Sequence, residues 1–241
     1  MLCLEFCRIL SKSLVHLNCF SISNQLAFSF CSPLCVFSFA LFYFKQQFYC
    51  TDRTWIVGDS IVKGAGFHHC QLKGSGTSYW LGEGGAKLVR IPNLVKSSLS
   101  LYPFPTTLIV HAGTCDLFSV PLFDVRQRIL DTLTTLRNML PNTRIIWSDV
   151  LQRRYYHRED EPGCGKSCLI TINKFAFKVC KSIGNACVAR HYKVIFPADR
   201  SLYHRDGLHL SDKGSAVFRN SLQRALLYFN EFPEEVSFLS L

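Results

Sequence analysis

A serine, an aspartate and a histidine stand at positions from which they could form a hydrolytic site. Ser60 follows the apolar run Thr54–Val57 after a Gly-Asp pair, whereas Asp206 and His209 lie three residues apart near the end of the chain. A serine hydroxyl becomes a nucleophile when a base removes its proton, and a histidine does this near neutral pH if a carboxylate fixes its tautomer. These residue types therefore indicate acyl transfer to Ser60.

Taken singly, each residue also has an ordinary structural explanation. Ser60 could cap the helix that follows it, Asp59 could shape a turn, and an isolated Asp-x-x-His pair is common. The combination is more informative, because glycine-bearing loops follow two further apolar runs: GEGG after Thr77–Leu81 and AGTCD after Thr107–His111. In a parallel sheet all of these loops would meet at one edge.

Apolar runs alternate with segments of helical periodicity, which predicts how these residues are positioned. Five runs are too short for helices: Thr54–Val57, Thr77–Leu81, Thr107–His111, Arg144–Ser148 and Lys193–Phe196. An i, i+3/i+4, i+7 spacing predicts helices from Val125 to Leu140 and from Leu169 to Cys187, and a last helix over Ser211–Tyr228. The alternation predicts a three-layer α/β/α sandwich with a central parallel sheet of about five strands.

The strand-end residues resemble the sequence blocks of the SGNH, or GDSL-type, serine esterases over residues 54–226. The GDS motif is similar to the first block of the family and the DGLH motif to its fifth. The resemblance implies a flavodoxin-like fold, Ser60 as the nucleophile, His209 as the base and Asp206 as the acid that orients the base. It also implies hydrolysis of a small acyl or acetyl ester through an acyl-serine intermediate, without a metal or cofactor.

The same resemblance implies an oxyanion hole and reveals one departure. The GGA turn at 84–86 is similar to the second block and implies the Gly85 amide as a donor beside the Ser60 amide, while Gly113–Asp116 is similar to the third block. Cys115 occupies the position where the family has an asparagine, and a thiol is a weaker donor than an amide. Losing one oxyanion donor costs about a hundred- to a thousand-fold in kcat. The sequence thus predicts a weakened esterase, with a catalytically inactive SGNH-like binding module as the alternative.

The charge balance raises the question of a nucleic-acid partner. Lys and Arg number 27 against 17 Asp and Glu, a net charge of +10, and Arg153, Arg154 and Arg158 cluster with a Tyr-Tyr-His run. Such a patch could hold a phosphate backbone and stack a base, but the lack of a recognised nucleic-acid motif favours a solvated loop. An anionic substrate or a membrane surface would account for the excess positive charge equally well. The segments IIWSDVLQRR and DGLHLSDKGS further resemble SGNH-like modules associated with vertebrate retroelements.

Residues 1–50 differ in composition from the rest of the chain. They hold nine of the 20 phenylalanines and six of the 12 cysteines but only four charged residues. The stretch Leu26–Phe44 has 19 residues, the length of a membrane-spanning helix, whereas Pro33 argues against a span. The segment is therefore either a membrane anchor or not part of a folded domain at all. In the second case it is an N-terminal extension or reflects a poorly defined start of the reading frame. The expected organisation is this extension, an SGNH-like domain over 51–230 and a tail over 231–241, intracellular unless the anchor is real.

Other motifs predict no metal or cofactor site. The GCGKS segment at 163–167 lacks the first glycine of a phosphate-binding loop, and neither the 68–70 His-His-Cys run nor the pair Cys187 and His191 has partners at zinc spacing. Cys180 and Cys187 are predicted on the apolar face of one helix, where a thiol packs as a small hydrophobic group. The cysteines after residue 50 are expected to be mostly reduced.

Overall fold

The computed structural model describes residues 52–66, 70–117, 119–154, 164–191, 199–232 and 237–238. The predicted apolar extension 1–50, with its candidate span Leu26–Phe44, lies outside these residues, as does most of the tail 231–241. Among the described helices, none has the length and hydropathy needed to cross a membrane.

Six parallel strands form a single sheet, in the order β2-β1-β3-β4-β5-β6. Their bounds are β1 (Arg53–Gly58), β2 (Thr77–Gly82), β3 (Thr107–His111), β4 (Arg144–Ser148), β5 (Ala186–Ala189) and the two-residue β6 (Ser237–Phe238). Every residue of β3 is buried, as are the last five residues of β1 and the last four of β4. Burial at successive positions means that both faces of the central strands are covered, as the apolar runs predict.

Five helices flank this sheet within the described residues: α1 (Ser60–Ala65), α2 (Ile91–Ser98), α3 (Leu122–Met139), α4 (Cys164–Ile183) and α5 (Asp212–Glu231). Helix α1 packs against α5, while α3 packs against both α2 and α4. The helices therefore form two groups, and since the central strands are buried on both faces, the groups cover opposite faces. The predicted α/β/α architecture with a parallel sheet is confirmed.

The predicted position of the fifth strand differs from the structure. The helical spacing places Cys187 on a helix face, but α4 ends at Ile183 and Cys187 lies in strand β5. Gly184 and Asn185 adopt positive φ angles of 66° and 45°, a backbone conformation that stops a right-handed helix. The helical assignment of Cys187 is therefore wrong, and the predicted strand Lys193–Phe196 lies outside the described residues.

The carboxyl end of β1 depends on a glycine. Gly58 pairs with His111 of β3, and a Cβ atom added to Gly58 would lie 2.0 Å from the carbonyl oxygen of His111. No other residue fits this approach of two backbones without a shift of the strands. Gly58 therefore sets how closely the two strand-end loops can approach each other.

Four buried side chains form a continuous chain of hydrogen bonds between β3, β4, the end of β5 and α5. His111 Nδ1 lies 2.8 Å from Ser148 Oγ, and Ser148 Oγ lies 2.7 Å from His191 Nε2. His191 Nδ1 lies 2.8 Å from Ser221 Oγ, which donates to the Arg190 carbonyl at 3.2 Å.

The last of these bonds fixes the direction of the others, because a hydroxyl has one proton. Ser221 uses its proton on the carbonyl, so it accepts from His191 Nδ1–H, and Nε2 of a neutral His191 then accepts from Ser148. Ser148 in turn accepts from His111 Nδ1–H. Burial lowers the pKa of both histidines and so favours their neutral forms, and this set of donors and acceptors is consistent with two neutral rings.

We expect this network to make the domain less stable in mild acid. As the pH falls below about 6.5, the unfolded chain binds protons at His111 and His191 that the folded domain does not, so the free energy of unfolding decreases. For one histidine the loss is about 1 kcal/mol between pH 6.5 and 5.5. Urea unfolding at the two pH values should show a smaller loss for His191→Gln than for the unmodified protein.

Buried Asp149 has the opposite effect on how the free energy of unfolding depends on pH. The prediction therefore compares the unmodified protein with a variant that keeps Asp149. Burial raises the pKa of Asp149 to about 7, so its contribution to stability is present at low pH and is lost as the pH rises toward 7. Both proteins contain Asp149, so its effect cancels when the loss of stability of His191→Gln is subtracted from that of the unmodified protein. An equal loss of stability in the two proteins would contradict a neutral buried network.

Candidate active site

Ser60 is the first residue of α1, directly beyond the carboxyl end of β1. Asp59 is the N-cap of this helix, and its Oδ1 accepts a hydrogen bond from the Ile61 amide at 2.9 Å. The Asp59 amide donates to the His111 carbonyl at 3.3 Å, and the side chain of Asp59 is buried. The cap on one side and the β3 contact on the other therefore hold the backbone of Ser60 at the edge of the sheet.

Asp206 and His209 lie in the loop before α5, where Asp206 organises its own neighbours. Its Oδ1 accepts the Leu208 and His209 amides at 2.8 and 3.0 Å, and its Oδ2 lies 2.7 Å from His209 Nδ1. The hydrogen bond to the His209 side chain is the main reason that the pKa of Asp206 falls to about 2. Asp206 is therefore ionised at neutral pH and fixes a proton on His209 Nδ1.

The structure brings these residues together across the chain. His209 Nε2 lies 3.2 Å from Ser60 Oγ, although the two residues are 149 positions apart. With Nδ1 protonated, Nε2 presents a lone pair to the serine hydroxyl. The His209 and Asp206 side chains are 43% and 48% exposed, so the array is open to solvent on one side. Chemically, this arrangement can remove a proton from Ser60 and return it to another group.

Gly85 lies in a turn next to the carboxyl end of β1. The Ala86 amide donates to the Glu83 carbonyl at 3.2 Å, which closes the turn, and the Glu83 amide donates to the Gly58 carbonyl at 2.9 Å. Gly85 adopts a φ of 71°, and a Cβ atom added there would contact nothing within 4 Å. Backbone conformation rather than crowding therefore favours glycine at this position.

Cys115 lies in the turn that follows β3, and its thiol contacts a cation. The Asp116 amide donates to the Gly113 carbonyl at 3.1 Å, and Arg153 Nη2 donates to Cys115 Sγ at 3.6 Å. Burial and the charge of Asp59 raise the pKa of the thiol above its ordinary value, although Arg153 acts in the opposite direction. Cys115 is therefore a neutral thiol near pH 7 and not a nucleophilic thiolate. A neutral thiol is a weak hydrogen-bond donor and a weak acceptor.

Asp116 is a structural residue of this edge. It is fully buried, its Oδ2 accepts the Leu88 amide at 2.9 Å, and its Oδ1 accepts from Arg128 Nη1 at 2.7 Å. Both carboxylate oxygens thus connect the Cys115 turn to neighbouring elements. Asp59, which caps α1, and Asp116 thus both order the backbone of loops at this edge.

The loop after β4 lies between the Cys115 turn and the loop that carries Asp206 and His209. The Arg154 amide donates to the Gly207 carbonyl at 2.8 Å, and the Tyr203 hydroxyl donates to the Gln152 carbonyl at 2.8 Å. Sequence reasoning places Arg153 only in a basic patch and misses its contact with Cys115. The signal that could have indicated this contact is the position of Arg153, five residues after the end of β4, which is adjacent to β3 in the sheet.

The remaining predicted site residues are only partly described. Arg153 and Arg154 are half-buried, whereas Arg158 and the aromatic residues 155–157 lie outside the described part of the chain, as do His68 and His69. His191 has a serine hydroxyl on each ring nitrogen. Within the described ranges, no three His, Cys, Asp or Glu side chains are grouped so that they could hold a metal.

The fold and this geometry define an α/β/α domain with a Ser-His-Asp array at the carboxyl edge of a parallel sheet. Solved structures with the same fold include a GDSL-like lipase from Bacteroides thetaiotaomicron, 18% identical, with 73% of this chain and 88% of that chain covered and a TM-score of 0.58. The lipase/acylhydrolase from Enterococcus faecalis is 16% identical, with 73% and 95% covered and a TM-score of 0.54.

The psychrotrophic esterase EstA from a Pseudoalteromonas species is similar as well, at 13% identity, with 75% of this chain and 99% of that chain covered and a TM-score of 0.55. No protein-family model and no curated protein sequence matches the chain. The chain therefore has the fold of the GDSL-type lipases and acylhydrolases.

We expect Asp116→Asn to destabilise the domain by about 2 kcal/mol, because a buried hydrogen bond to a charged partner is lost and Arg128 is left without its carboxylate. Asp131→Asn is the matched control, since exposed Asp131 accepts from the Gln127 side chain one turn earlier on the same helix. Urea unfolding should show a change below about 0.5 kcal/mol for the control. Equal stability of the two variants would contradict a structural role for Asp116.

Proposed function

We propose that this chain is an ester hydrolase of the SGNH type that acts on a small acyl or acetyl ester through an acyl-serine intermediate. The observation that carries the proposal is the hydrogen-bonded series from Asp206 Oδ2 through both nitrogens of His209 to Ser60 Oγ. The likeness of fold to lipases and esterases supports the reaction class. It does not define the acyl group or the alcohol.

In the first half-reaction Ser60 Oγ attacks the ester carbonyl while His209 Nε2 takes its proton. Asp206 stabilises the resulting imidazolium through Nδ1, and the amides of Ser60 and Gly85 donate to the oxyanion. The tetrahedral intermediate then breaks the bond to the alcohol oxygen, which leaves with the proton from His209. The product of this step is an acyl-serine ester.

In the second half-reaction water takes the place of the alcohol. His209 Nε2 removes a proton from the water as its oxygen attacks the acyl carbon. The second tetrahedral intermediate then breaks the bond from the acyl carbon to Ser60 Oγ, which takes that proton back from His209. The carboxylic acid is released and the enzyme is restored. No cofactor takes part in either half-reaction.

A catalytically inactive SGNH-like binding module is the second candidate, and the neutral thiol of Cys115 favours it. If the missing amide donor abolishes turnover, the strand-end loops could still present Arg153 and Arg154 to a phosphate backbone. The resemblance to retroelement-associated modules agrees with this alternative. The two candidates differ in whether Ser60 is reactive.

An activity-based fluorophosphonate probe should label the protein at Ser60, because the probe forms a stable adduct with an activated serine. We expect labelling to disappear in Ser60→Ala, and labelling and acetyl-ester turnover to fall by about a thousand-fold or more in His209→Gln, since the base is lost. Ser119→Ala is a matched control, as Ser119 donates to the Cys115 carbonyl within the same edge. Absent labelling together with tight, salt-dependent RNA binding would instead support the inactive module.

Restoring the family asparagine should increase turnover. We expect Cys115→Asn to raise kcat by roughly three- to tenfold, because an amide N–H is a better donor to the oxyanion than a thiol. Cys115→Ala removes the thiol without adding a donor and should give no increase. Steady-state kinetics on p-nitrophenyl acetate measures both variants, and equal kcat values for the two would contradict the assigned position of residue 115.

A further inference from the structure

We propose that the Arg153 guanidinium is an oxyanion-binding group of this site and supplies the side-chain donor that Cys115 cannot. The catalytic meaning of this inference rests on the proposed ester hydrolysis. Its physical content, an anion site that depends on Arg153, can be tested without catalysis.

The position of Arg153 follows from the order of the strands. Its loop leaves β4, which is adjacent to β3, so Arg153 reaches the turn after β3 and places Nη2 3.6 Å from Cys115 Sγ. On its other side, the same loop bonds to the loop carrying the base through Gln152 and Arg154. Arg153 therefore lies between the position of the family asparagine and the loop that carries His209.

The charges at this edge act on the same thiol. Asp59, which precedes Ser60, raises the pKa of Cys115, and Arg153 lowers it. The Asp59 carboxylate and the Arg153 guanidinium are therefore both within electrostatic reach of Cys115. Arg153 is half-buried, so its charge is less screened by water than that of a fully exposed arginine.

The chemistry of the two side chains makes the exchange feasible. A guanidinium stays protonated throughout the working pH range, and its charge-assisted hydrogen bonds are about twice as strong as neutral ones. The thiol of Cys115 is a weak acceptor without formal charge, so an N–H of Arg153 can leave it for a negatively charged oxygen at low cost. Arg153 donates hydrogen bonds in this step and transfers no proton.

With Cys115 in place of the asparagine, the oxyanion would be stabilised by the positive charge of Arg153 instead of by a neutral amide. An oxyanion carries a full negative charge only in the tetrahedral intermediate, so a cation placed beside it stabilises the transition state more than the neutral ester. The effect of Arg153 should therefore appear in kcat and hardly in KM. A residue with a merely structural role would instead change stability.

The kinetic test compares Arg153→Gln with the exposed control Arg224→Gln on α5, using p-nitrophenyl acetate. We expect Arg153→Gln to lower kcat by about a hundred-fold with KM within threefold, and Arg153→Lys to retain an intermediate rate. Arg224→Gln should stay within twofold of the unmodified protein. Thermal unfolding of each variant checks that the domain is folded.

Combining the substitutions measures whether the two positions serve one oxyanion. If they do, Cys115→Asn should raise kcat at least tenfold more in the Arg153→Gln protein than in the unmodified protein, because the amide then replaces an absent donor. A kcat for Arg153→Gln within threefold of the unmodified protein overturns the inference. An equal gain from Cys115→Asn in both backgrounds also overturns it.

A second measurement separates this inference from the hydrolase proposal. If the unmodified protein shows no Ser60-dependent turnover or labelling, the hydrolase proposal fails, and binding of inorganic phosphate to Ser60→Ala then tests the anion site alone. We expect NMR titration to show at least fivefold weaker phosphate binding in Ser60→Ala/Arg153→Gln and no such change in Ser60→Ala/Arg224→Gln. Equal or absent phosphate binding in all three proteins overturns the inference in that case.

Discussion

All strands of a parallel sheet end at the same edge, and the candidate site of this chain depends on that constraint. Ser60 follows β1 and His209 lies between β5 and α5, yet their side chains meet at 3.2 Å across 149 positions. The close approach of Gly58 to the His111 carbonyl keeps β1 and β3 in register where their loops begin. A shift of either strand would displace the serine relative to the Cys115 turn.

Polar groups at this edge are positioned mainly by hydrogen bonds to backbone atoms. Asp59 caps α1, Asp206 accepts two amides of its own loop, and Asp116 accepts the Leu88 amide. Each carboxylate thus orders the loop that presents a neighbouring reactive group. The buried chain from His111 to Ser221 lies in the same domain and works differently, because it contains no charge and depends on the neutrality of two imidazoles.

At position 115, where the sequence resemblance implies an amide side chain, this chain carries a thiol without formal charge. Burial raises the pKa of this thiol, the negative charges of Asp59 and Asp116 act in the same direction, and the positive Arg153 acts against them. The edge therefore holds an ionised acid behind the base of Ser60 and, at the Cys115 turn, a guanidinium from the β4 side.

Local sequence determined the elements and the short-range parts of the site. Strands over Thr107–His111 and Arg144–Ser148, the N-cap at Ser211 and the Asp206 to His209 spacing depend on neighbours within a few residues, so they could be predicted. The start of β5 could not, because a short apolar run fits a helix as well as a strand and the positive φ angles at 184 and 185 decide between them.

Only the tertiary structure decided which distant side chains meet. Arg153 contacts Cys115 from 38 positions away, and His111 and Ser148 pair across 37, because β3 and β4 are neighbours in the sheet. Strand order and packing determine such contacts, and propensity and periodicity carry no information about either. The sequence therefore identified a serine, a histidine and an aspartate as candidates, while the fold selected the arginine that lies beside the cysteine.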